Sequence, residues 1–325
     1  MALNVGGYSI SLDCGEQDTN VNFVSHAHSD HTSGLRKGRK VIASEITKDL
    51  IECRHPRKKI ELAEKPKCLK LLNAGHILGS NQLYVSSDEL GASIIYSGDY
   101  QMDRSAVAEP IETRHADILI IDSTYPEKDV VFGERSEITS SIQKYSSEKI
   151  KEGIVLFGAY ALGKSQELIK IANEIGIAPV VDEKVCRINE VYAKHGMGLD
   201  YVSGGKDENE LESMLRGNFL GITSVYNLKD VAYSLSNTYR KKVFTAVATG
   251  FARMLDMGSD AQFPLSDHAD FRQAIEYIEA CGPKTIYTRG NGESAALFAK
   301  NLSSEGYRAK VFSGKVELEE ALAAR

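Results

Sequence analysis

The predicted secondary structure of this chain changes character near residue 126, and that change limits the folds it can adopt. Residues 1 to about 125 predict short strands joined by turns, with one clear helix at about 45–53. From about 134 to 250, helices alternate with short apolar strands, the pattern of βαβ units around a parallel sheet. Residues 251–325 add strands and helices that would complete the first lobe. Because 325 residues exceed the roughly 250–300 at which one hydrophobic core stops growing, we expect two lobes.

The composition is that of an ordinary globular protein, with 42% hydrophobic and 26% charged residues. No apolar run approaches the roughly 18 residues of a membrane span, and the first residues lack the basic and apolar regions of a signal peptide. We therefore expect a cytoplasmic protein that has no membrane partner.

The distribution of charge bears on nucleic-acid binding. A net charge of −6 does not suit a protein that holds nucleic acid by bulk charge. Residues 36–70, however, contain 12 Lys and Arg against five Asp and Glu. Two interpretations of this basic region stay open, namely a solvated face and a surface that follows a phosphate backbone.

The strongest chemical signal is the segment 26–31, which reads His-x-His-x-Asp-His. Chance would place this pattern in only about three of ten thousand such chains. In an extended segment, His26 and His28 point to the same side. A turn would then bring Asp30 and His31 round to face them. Two adjacent pockets of imidazoles and carboxylates are a ligand set suited to Zn²⁺ and related ions.

This motif, placed after a strand, resembles the signature of the metallo-β-lactamase superfamily, and the resemblance extends along most of the chain. The later motifs of that family are matched by residues 74–80 (AGHILGS), 96–99 (YSGD) and 121–125 (IDSTY). Residues 264–271 (PLSDHADF) resemble the histidine motif of its nucleic-acid-processing β-CASP branch. Residues 158–168 look most like bacterial ligase-associated DNA exonucleases and archaeal relatives named for mRNA 3′-end processing.

The resemblance implies an α/β fold, namely the metallo-β-lactamase αββα sandwich with an inserted βα (β-CASP) cap domain. Residues 1–125 would form the first part of the metallo-β-lactamase domain, residues 126–250 the insert, and residues 251–325 the completion of the first domain.

The resemblance also implies roles for individual residues. It implies that His26, His28 and His76 bind a first metal ion. Asp30 and His31 would bind a second ion, and Asp99 would bind both. The cofactor would be one or two zinc ions. Asp30, His268 and Asp122 are the implied catalytic residues, with His268 as the general acid and Asp122 as the carboxylate that orients it.

One position departs from the family pattern. After residues 285–288, many β-CASP enzymes have a histidine that completes the second metal site, whereas this chain has Arg289. Because arginine does not ligate metal ions, we expect weaker occupancy of the second site. For Arg289 itself two interpretations stay open: a positive charge placed on the substrate phosphate, and a salt-bridged arginine.

A second motif competes with this interpretation. Residues 158–165 satisfy Gly-x-x-x-x-Gly-Lys-Ser, follow an apolar strand and open a helix, as a nucleotide-binding P-loop does. We prefer a nucleic-acid phosphate to ATP as the ligand, bound by Lys164 and Ser165 at the helix N-terminus.

The sequence therefore predicts a metal-dependent nuclease that hydrolyses RNA or single-stranded DNA, as an exonuclease. Two alternatives stay open, a nucleic-acid-binding relative with weak or no catalysis and a small-molecule metallo-hydrolase of the same superfamily. The sequence is also compatible with a homo-oligomer.

Overall fold

The computed structural model describes residues 2–5, 8–13, 19–35, 40–87, 91–204 and 216–313. The chain forms two compact units, which are Met1–Arg104, Ala108–Val131 and His268–Arg325 (unit 1) and Ser105–Val107 and Phe132–Asp267 (unit 2). Unit 2 continues past the boundary expected near residue 250, because the strand Ala261–Phe263 pairs with Ala246 to Ala248 in its sheet.

The strands, in chain order, are β1 (Ala2–Val5), β2 (Tyr8–Leu12), β3 (Val21–Phe23), β4 (Lys40–Ile42), β5 (Glu61–Leu62), β6 (Leu69–Asn73), β7 (Asn81–Ser87), β8 (Ala92–Tyr96), β9 (Ile118–Asp122), β10 (Ile154–Ala159), β11 (Val180–Val181), β12 (Val202–Ser203), β13 (Leu220–Ser224), β14 (Val243–Ala248), β15 (Ala261–Phe263), β16 (Thr285–Arg289) and β17 (Ala309–Val311). The α-helices of the described residues are α1 (Ser29–Thr32), α2 (Glu45–Arg54), α3 (Arg135–Lys149), α4 (Lys164–Asn173), α5 (Glu183–Lys194), α6 (Leu228–Tyr239), α7 (Phe271–Cys281) and α8 (Gly292–Ser304). Short 3-10 helices cover Val225–Asn227 and Gly250–Arg253.

Unit 1 contains two sheets that share a core. Their strand orders are β1-β2-β3-β4-β5 and β17-β16-β9-β8-β7-β6. Apolar side chains of both sheets, such as Phe23 and Tyr96, form one core cluster. A second cluster joins the other face of the second sheet to α7 and α8 through Tyr277 and Phe298. Unit 1 therefore contains two packed sheets, and helices cover the outer face of the second sheet.

Strand β9 shows how these two cores place polar groups. Ile120 belongs to the cluster between the sheets and Leu119 to the cluster beside the helices. A continuous apolar run is typical of a strand covered on both faces. Carboxylates stand where these strands end: Asp122 closes β9, and Asp99 lies just beyond its neighbour β8.

Unit 2 contains one six-stranded sheet of order β12-β11-β13-β10-β14-β15, in which every described strand pair is parallel. Val155 and Phe157 of β10 pack in the cluster that includes α3, α4 and α5. Leu156, between them, packs against α6. Helices therefore cover both faces, as the predicted alternation of helices and strands requires.

Within the parts of the chain that the structure describes, no helix is long and apolar enough to cross a membrane.

Candidate metal centre

The His-x-His-x-Asp-His motif lies where β3 ends. His26 and His28 occupy the loop after the strand, and Asp30 and His31 belong to α1, the four-residue helix that makes the turn. His26 is fully buried and Asp30 is exposed. The turn expected after the two histidines is therefore a short helix, and it brings the second pair of side chains to the same place as the first.

Three imidazoles and one carboxylate converge in a first group, formed by His26, His28, His76 and Asp99. His28 Nδ1 lies 3.0 Å from both His26 Nε2 and His76 Nε2. Asp99 Oδ2 lies 3.6 Å from His26 Nε2 and 3.8 Å from His76 Nε2. Donor atoms of one tetrahedral ion with bonds of about 2.0–2.1 Å lie about 3.3 Å from each other. These four side chains therefore fit a single ion.

The electrostatics of the first group also favour a cation. Burial, followed by the neighbouring His31, holds the pKa of His26 well below its ordinary value and so favours the neutral imidazole that ligates a metal ion. Burial alone would raise the pKa of Asp99. The charge of His31 and its hydrogen bond oppose burial, and the pKa of Asp99 is held well below its usual range, which favours the ionised carboxylate.

A second group consists of Asp30, His31 and Asp99. His31 Nε2 lies 3.2 Å from Asp99 Oδ2 and 3.3 Å from Asp30 Oδ2. The hydrogen bond from His31 lowers the pKa of Asp30 to about 2. Because Asp99 belongs to both groups, its carboxylate has the position of a bridging ligand. The structure thus brings all six predicted ligand residues together.

Asp13 is a site residue that the sequence analysis missed. Its buried carboxylate accepts hydrogen bonds from the Ser25 amide and hydroxyl, each at 2.7 Å, and from the Tyr96 hydroxyl at 2.6 Å. His31 Nδ1 lies 2.8 Å from the same carboxylate. A proton on Nδ1 leaves Nε2 of His31 free as a metal ligand, as is usual for metal-binding histidines. The one available signal was that Asp13 directly follows the predicted strand Tyr8–Leu12.

Two further residues hold the loops of the centre. Arg54 of α2 donates hydrogen bonds to the carbonyl of Ala27 and, at 2.8 Å, to the hydroxyl of Ser29, so it fixes the motif loop from outside. Gly98 has a φ of +58°, and a Cβ at this position would lie 2.6 Å from Ser25 Cβ. A residue with a side chain would therefore push the loop that carries Asp99 away from the motif.

Arg289 points to Asp13. Its Nη1 atom lies 3.5 Å from Asp13 Oδ2, and its guanidinium group lies 5.0 Å from the ring centroid of Tyr96. This placement supports the interpretation of a salt-bridged arginine. It also puts a permanent positive charge behind His31, on the carboxylate that orients that imidazole.

His268 and Asp122 form a hydrogen-bonded pair next to the ligands. His268 Nδ1 lies 3.0 Å from Asp122 Oδ2, and Asp99 belongs to the same group of acids and imidazoles. Burial, followed by the charge of Asp99, raises the pKa of Asp122, and the contact with His268 acts in the opposite direction. The His268 ring also lies 4.6 Å from that of His76 between centroids.

Lys164 and Ser165 have structural contacts within unit 2. The buried ammonium group of Lys164 lies 2.8 Å from Glu167 Oε2 and 2.6 Å from Asp267 Oδ1. The buried hydroxyl of Ser165 donates to the carbonyl of Tyr160 at 2.8 Å. Two carboxylates already neutralise the lysine, so its placement does not support the predicted phosphate contact or a P-loop.

The basic region 36–70 is partly paired within itself, and its residues Arg36, Lys37 and Arg39 lie outside the described part of the chain. The ion pairs inside it are Lys40–Glu61, Lys48–Glu45 and Lys59–Glu52. These pairs are those of a solvated face.

No protein-family model matches the chain. A probable DNA ligase of Opitutus terrae is 32% identical in an alignment 314 positions long, gaps included, that covers 91% of this chain and 29% of that protein. An RNase J-like protein of Methanocaldococcus jannaschii is 28% identical in an alignment 207 positions long, gaps included, that covers 50% of this chain and 48% of the relative. The chain thus spans less than half the length of either relative. A solved structure of a protein of unknown function from Enterococcus faecalis has a TM-score of 0.59 at 12% identity, over 90% of this chain and 79% of that one.

These similarities confirm the predicted α/β fold class. Side chains from the motifs of unit 1 meet in overlapping groups of imidazoles and carboxylates. The chain belongs to the metallo-β-lactamase superfamily, in its β-CASP branch.

Proposed function

We propose that this chain is a metal-dependent nuclease that hydrolyses phosphodiester bonds of RNA or single-stranded DNA from a strand end. The observation that carries the proposal is the pair formed by His268 and Asp122, 3.0 Å apart and grouped with the candidate ligand Asp99. A metal site alone would also suit other hydrolases. An imidazole backed by a carboxylate beside that site suits a reaction whose leaving oxygen needs a proton.

The donor set supports zinc as the ion. Imidazole nitrogens and carboxylate oxygens at tetrahedral spacing are the usual protein ligands of Zn²⁺. Zinc bound there would polarise a phosphoryl oxygen and lower the pKa of a water molecule. Among the candidate ligands, Asp30 is the most exposed, with 77% of its side chain accessible, so this side of the centre is open to solvent and substrate.

The second ion is bound more weakly in this proposal. Only Asp30, His31 and the shared Asp99 remain to hold it, because Arg289 occupies the position of the family's additional histidine. We therefore expect one tightly bound ion per chain and a second that exchanges readily.

The proton of the leaving group comes from His268. Its Nδ1 atom is engaged by Asp122, so Nε2 is the atom that donates. The carboxylate fixes the orientation of the ring and favours its protonated form. Gln101 Nε2 donates a 2.9 Å hydrogen bond to the His268 carbonyl and thereby holds the backbone of the acid in place.

The names of the relatives support a nucleic-acid substrate and span both sugars. One relative is named as a probable DNA ligase and another as RNase J-like, and further relatives are named RNase aCSPSF2 and DNA cross-link repair 1A protein. Sugar preference is therefore part of the test.

The decisive experiment incubates metal-analysed protein with end-labelled single- and double-stranded RNA and DNA, with and without a chelator. We expect chelator-sensitive ladders on at least one single-stranded substrate, and the order in which products appear will give the polarity. The His268→Ala variant should retain its metal and lose most turnover. His195→Ala, at the C-terminus of α5 in unit 2, serves as the matched histidine control and should behave as wild type. Cleavage that survives complete metal removal would overturn the proposal.

A further inference from the structure

Three segments at one edge of the unit 2 sheet expose aromatic rings. Strands β13, β10 and β14 are neighbours and parallel, so their carboxyl ends lie side by side, about 4.8 Å apart. Tyr226 follows β13, Tyr160 follows β10 and Phe251 follows β14. Their exposed fractions are 81%, 47% and 38%. We call these three residues the aromatic edge.

The two tyrosines of this edge are held together. Their ring centroids are 6.3 Å apart with an interplanar angle of 68°, the edge-to-face geometry of an aromatic pair. Gly158 of β10 makes the close approach possible, since a Cβ there would lie 3.2 Å from Val225 Cα. The two rings therefore lie close together before any ligand arrives, which lowers the entropic cost of binding.

Exposed apolar side chains are concentrated at this edge. Within the described residues, five of the seven large exposed ones lie in the segments that follow β13, β10 and β14: Tyr160, Tyr226, Phe251, Met254 and Leu255. Single exposed hydrophobic residues are normal on protein surfaces, whereas a contiguous group marks a binding surface.

The position of the edge in the sheet is that of a ligand site. Helix α4, which follows β10, packs with Phe157 on one face of the sheet. Helix α6, which follows β13, packs with Leu156 on the opposite face. Chains that leave neighbouring strands toward opposite faces open a crevice at the carboxyl ends, where parallel α/β sheets bind ligands. Tyr160 and Tyr226 lie at this switch point.

The charge of the aromatic edge indicates which part of a nucleic acid it can bind. Residues 160–163, 225–227 and 249–258 contain one basic and one acidic side chain, Arg253 and Asp256. The Asp256 carboxylate accepts hydrogen bonds from the Gly258 amide at 2.8 Å and from Gln262 Nε2 at 3.1 Å. The edge thus offers ring faces and no net charge, which suits a base and not the phosphate backbone.

We propose that the aromatic edge binds unpaired nucleobases of a single-stranded nucleic acid by stacking. The proposal rests on the nuclease function proposed above, and it adds a base-binding site in unit 2 to the metal centre in unit 1. Stacking on exposed aromatic side chains is tolerant of sequence, because every base has a ring face.

The test measures binding of fluorescein-labelled oligo-dT and oligo-rA by anisotropy, using full-length protein in a His268→Ala background to slow cleavage. A strand of the same length without bases is the matched ligand. We expect Tyr160→Ala and Tyr226→Ala each to weaken binding roughly 5- to 150-fold, the effect of losing one stacked base. Tyr160→Phe and Tyr226→Phe keep the rings and should bind as the parent. Tyr233→Ala removes a tyrosine that is 73% exposed on α6 and is the matched protein control.

Two further outcomes decide between base and backbone. The loss of affinity in Tyr160→Ala and Tyr226→Ala should be absent when the ligand is the baseless strand. With oligo-dT and oligo-rA, the fold-loss should be the same at about 50 and 200 mM salt, since stacking neutralises no phosphate. Unchanged binding in the alanine variants would overturn the proposal and assign the edge to another partner, such as a protein. An equal loss on the baseless strand, or an equal loss in Tyr233→Ala, would overturn it as well.

Hydrolysis of bis(p-nitrophenyl) phosphate separates this proposal from the nuclease function. That diester has no base. In proteins that retain His268, the Tyr160→Ala and Tyr226→Ala variants should therefore hydrolyse it at the same rate as wild type. Absence of metal-dependent hydrolysis together with base-dependent binding would refute the nuclease and leave the edge standing.

Discussion

The carboxylate of Asp13 offers a direct test of how the fold holds His31. Asp13→Asn keeps the size of the side chain and removes its charge. Residue 13 has a φ of +54°, a conformation that asparagine adopts as readily as aspartate, so the backbone adds no penalty. Oδ1 accepts the Ser25 amide at 2.7 Å, and Oδ2 faces the Ser25 hydroxyl, the Tyr96 hydroxyl and His31 Nδ1 at 2.6–2.8 Å. In the variant an amide group replaces Oδ2.

The expected loss follows from these contacts. Both hydroxyl groups can rotate to accept a hydrogen bond from the new amide. The Nδ1–H group of His31 would face an N–H group and lose its acceptor, and one buried unsatisfied donor costs about 1–3 kcal/mol. Arg289, whose side chain is 21% exposed, loses its pairing with Asp13, which adds about 1 kcal/mol after solvent screening. The free energy of unfolding of metal-free protein should fall by about 2–4 kcal/mol. Affinity for the second ion should fall about 10- to 100-fold.

Urea unfolding in a chelator and competition titration with a chromogenic chelator measure the two effects separately. Asp117→Asn is the matched control in unit 1, since Asp117 accepts hydrogen bonds from Ser93 at 2.9 and 3.0 Å and from Lys284 at 2.9 Å. We expect this control to lose stability and to keep both metal affinities. An Asp13→Asn protein that bound both ions as wild type does would refute the role assigned to Asp13.

Four further outcomes are expected. His268→Ala should lower turnover about 10²- to 10⁴-fold at unchanged metal content, as measured by end-labelled substrate and elemental analysis. Arg289→His should raise affinity for the second ion, because it exchanges a positive charge for a ligand, and an unaltered titration would count against the alignment of this position. Lys164→Ala should cost about 3 kcal/mol in urea unfolding, since Arg135 is then the cation that remains paired with both Glu167 and Asp267, and neither this variant nor wild type should bind ATP. The hydrogen bond from Lys284 first, and then those from Ser93, hold the pKa of Asp117 well below its usual range. The stability that Asp117 provides is therefore present above about pH 4 and is lost as the pH falls through the lowered pKa, so the stability gap to Asp117→Asn should close in acid.

The ligand cluster was predictable because its residues belong to short sequence motifs. His26, His28, Asp30 and His31 lie within six consecutive residues, so local spacing alone indicates these four ligands, whereas His76 and Asp99 were predicted from the resemblance of their motifs to the family. The alternation of helices and strands in unit 2 was also predictable, since a parallel sheet covered on both faces needs apolar strands separated by helices.

Contacts that depend on the order of strands in a sheet were not predictable. Asp13 meets His31 because β2 lies beside β3 in parallel, and nothing in the local sequence determines that neighbour. Lys164 was misleading for the same reason. Its P-loop spacing is local, whereas the carboxylate of Asp267 that engages it lies 103 positions further along the chain.

At the carboxyl ends of the parallel strands of unit 1, single residues can be substituted with little effect on the sheet. β8, β9 and β16 are consecutive in the sheet, and Asp122 of β9 stands directly opposite Arg289 of β16. Each strand is anchored by its apolar interior, so the side chain at its tip contributes little to the stability of the sheet, about 1 kcal/mol for the pairing of Arg289 with Asp13. Under the proposed function, a single substitution at such a tip is therefore expected to change the affinity for the second ion while the sheet persists. Divergence at this position would then alter metal occupancy without passing through a misfolded intermediate.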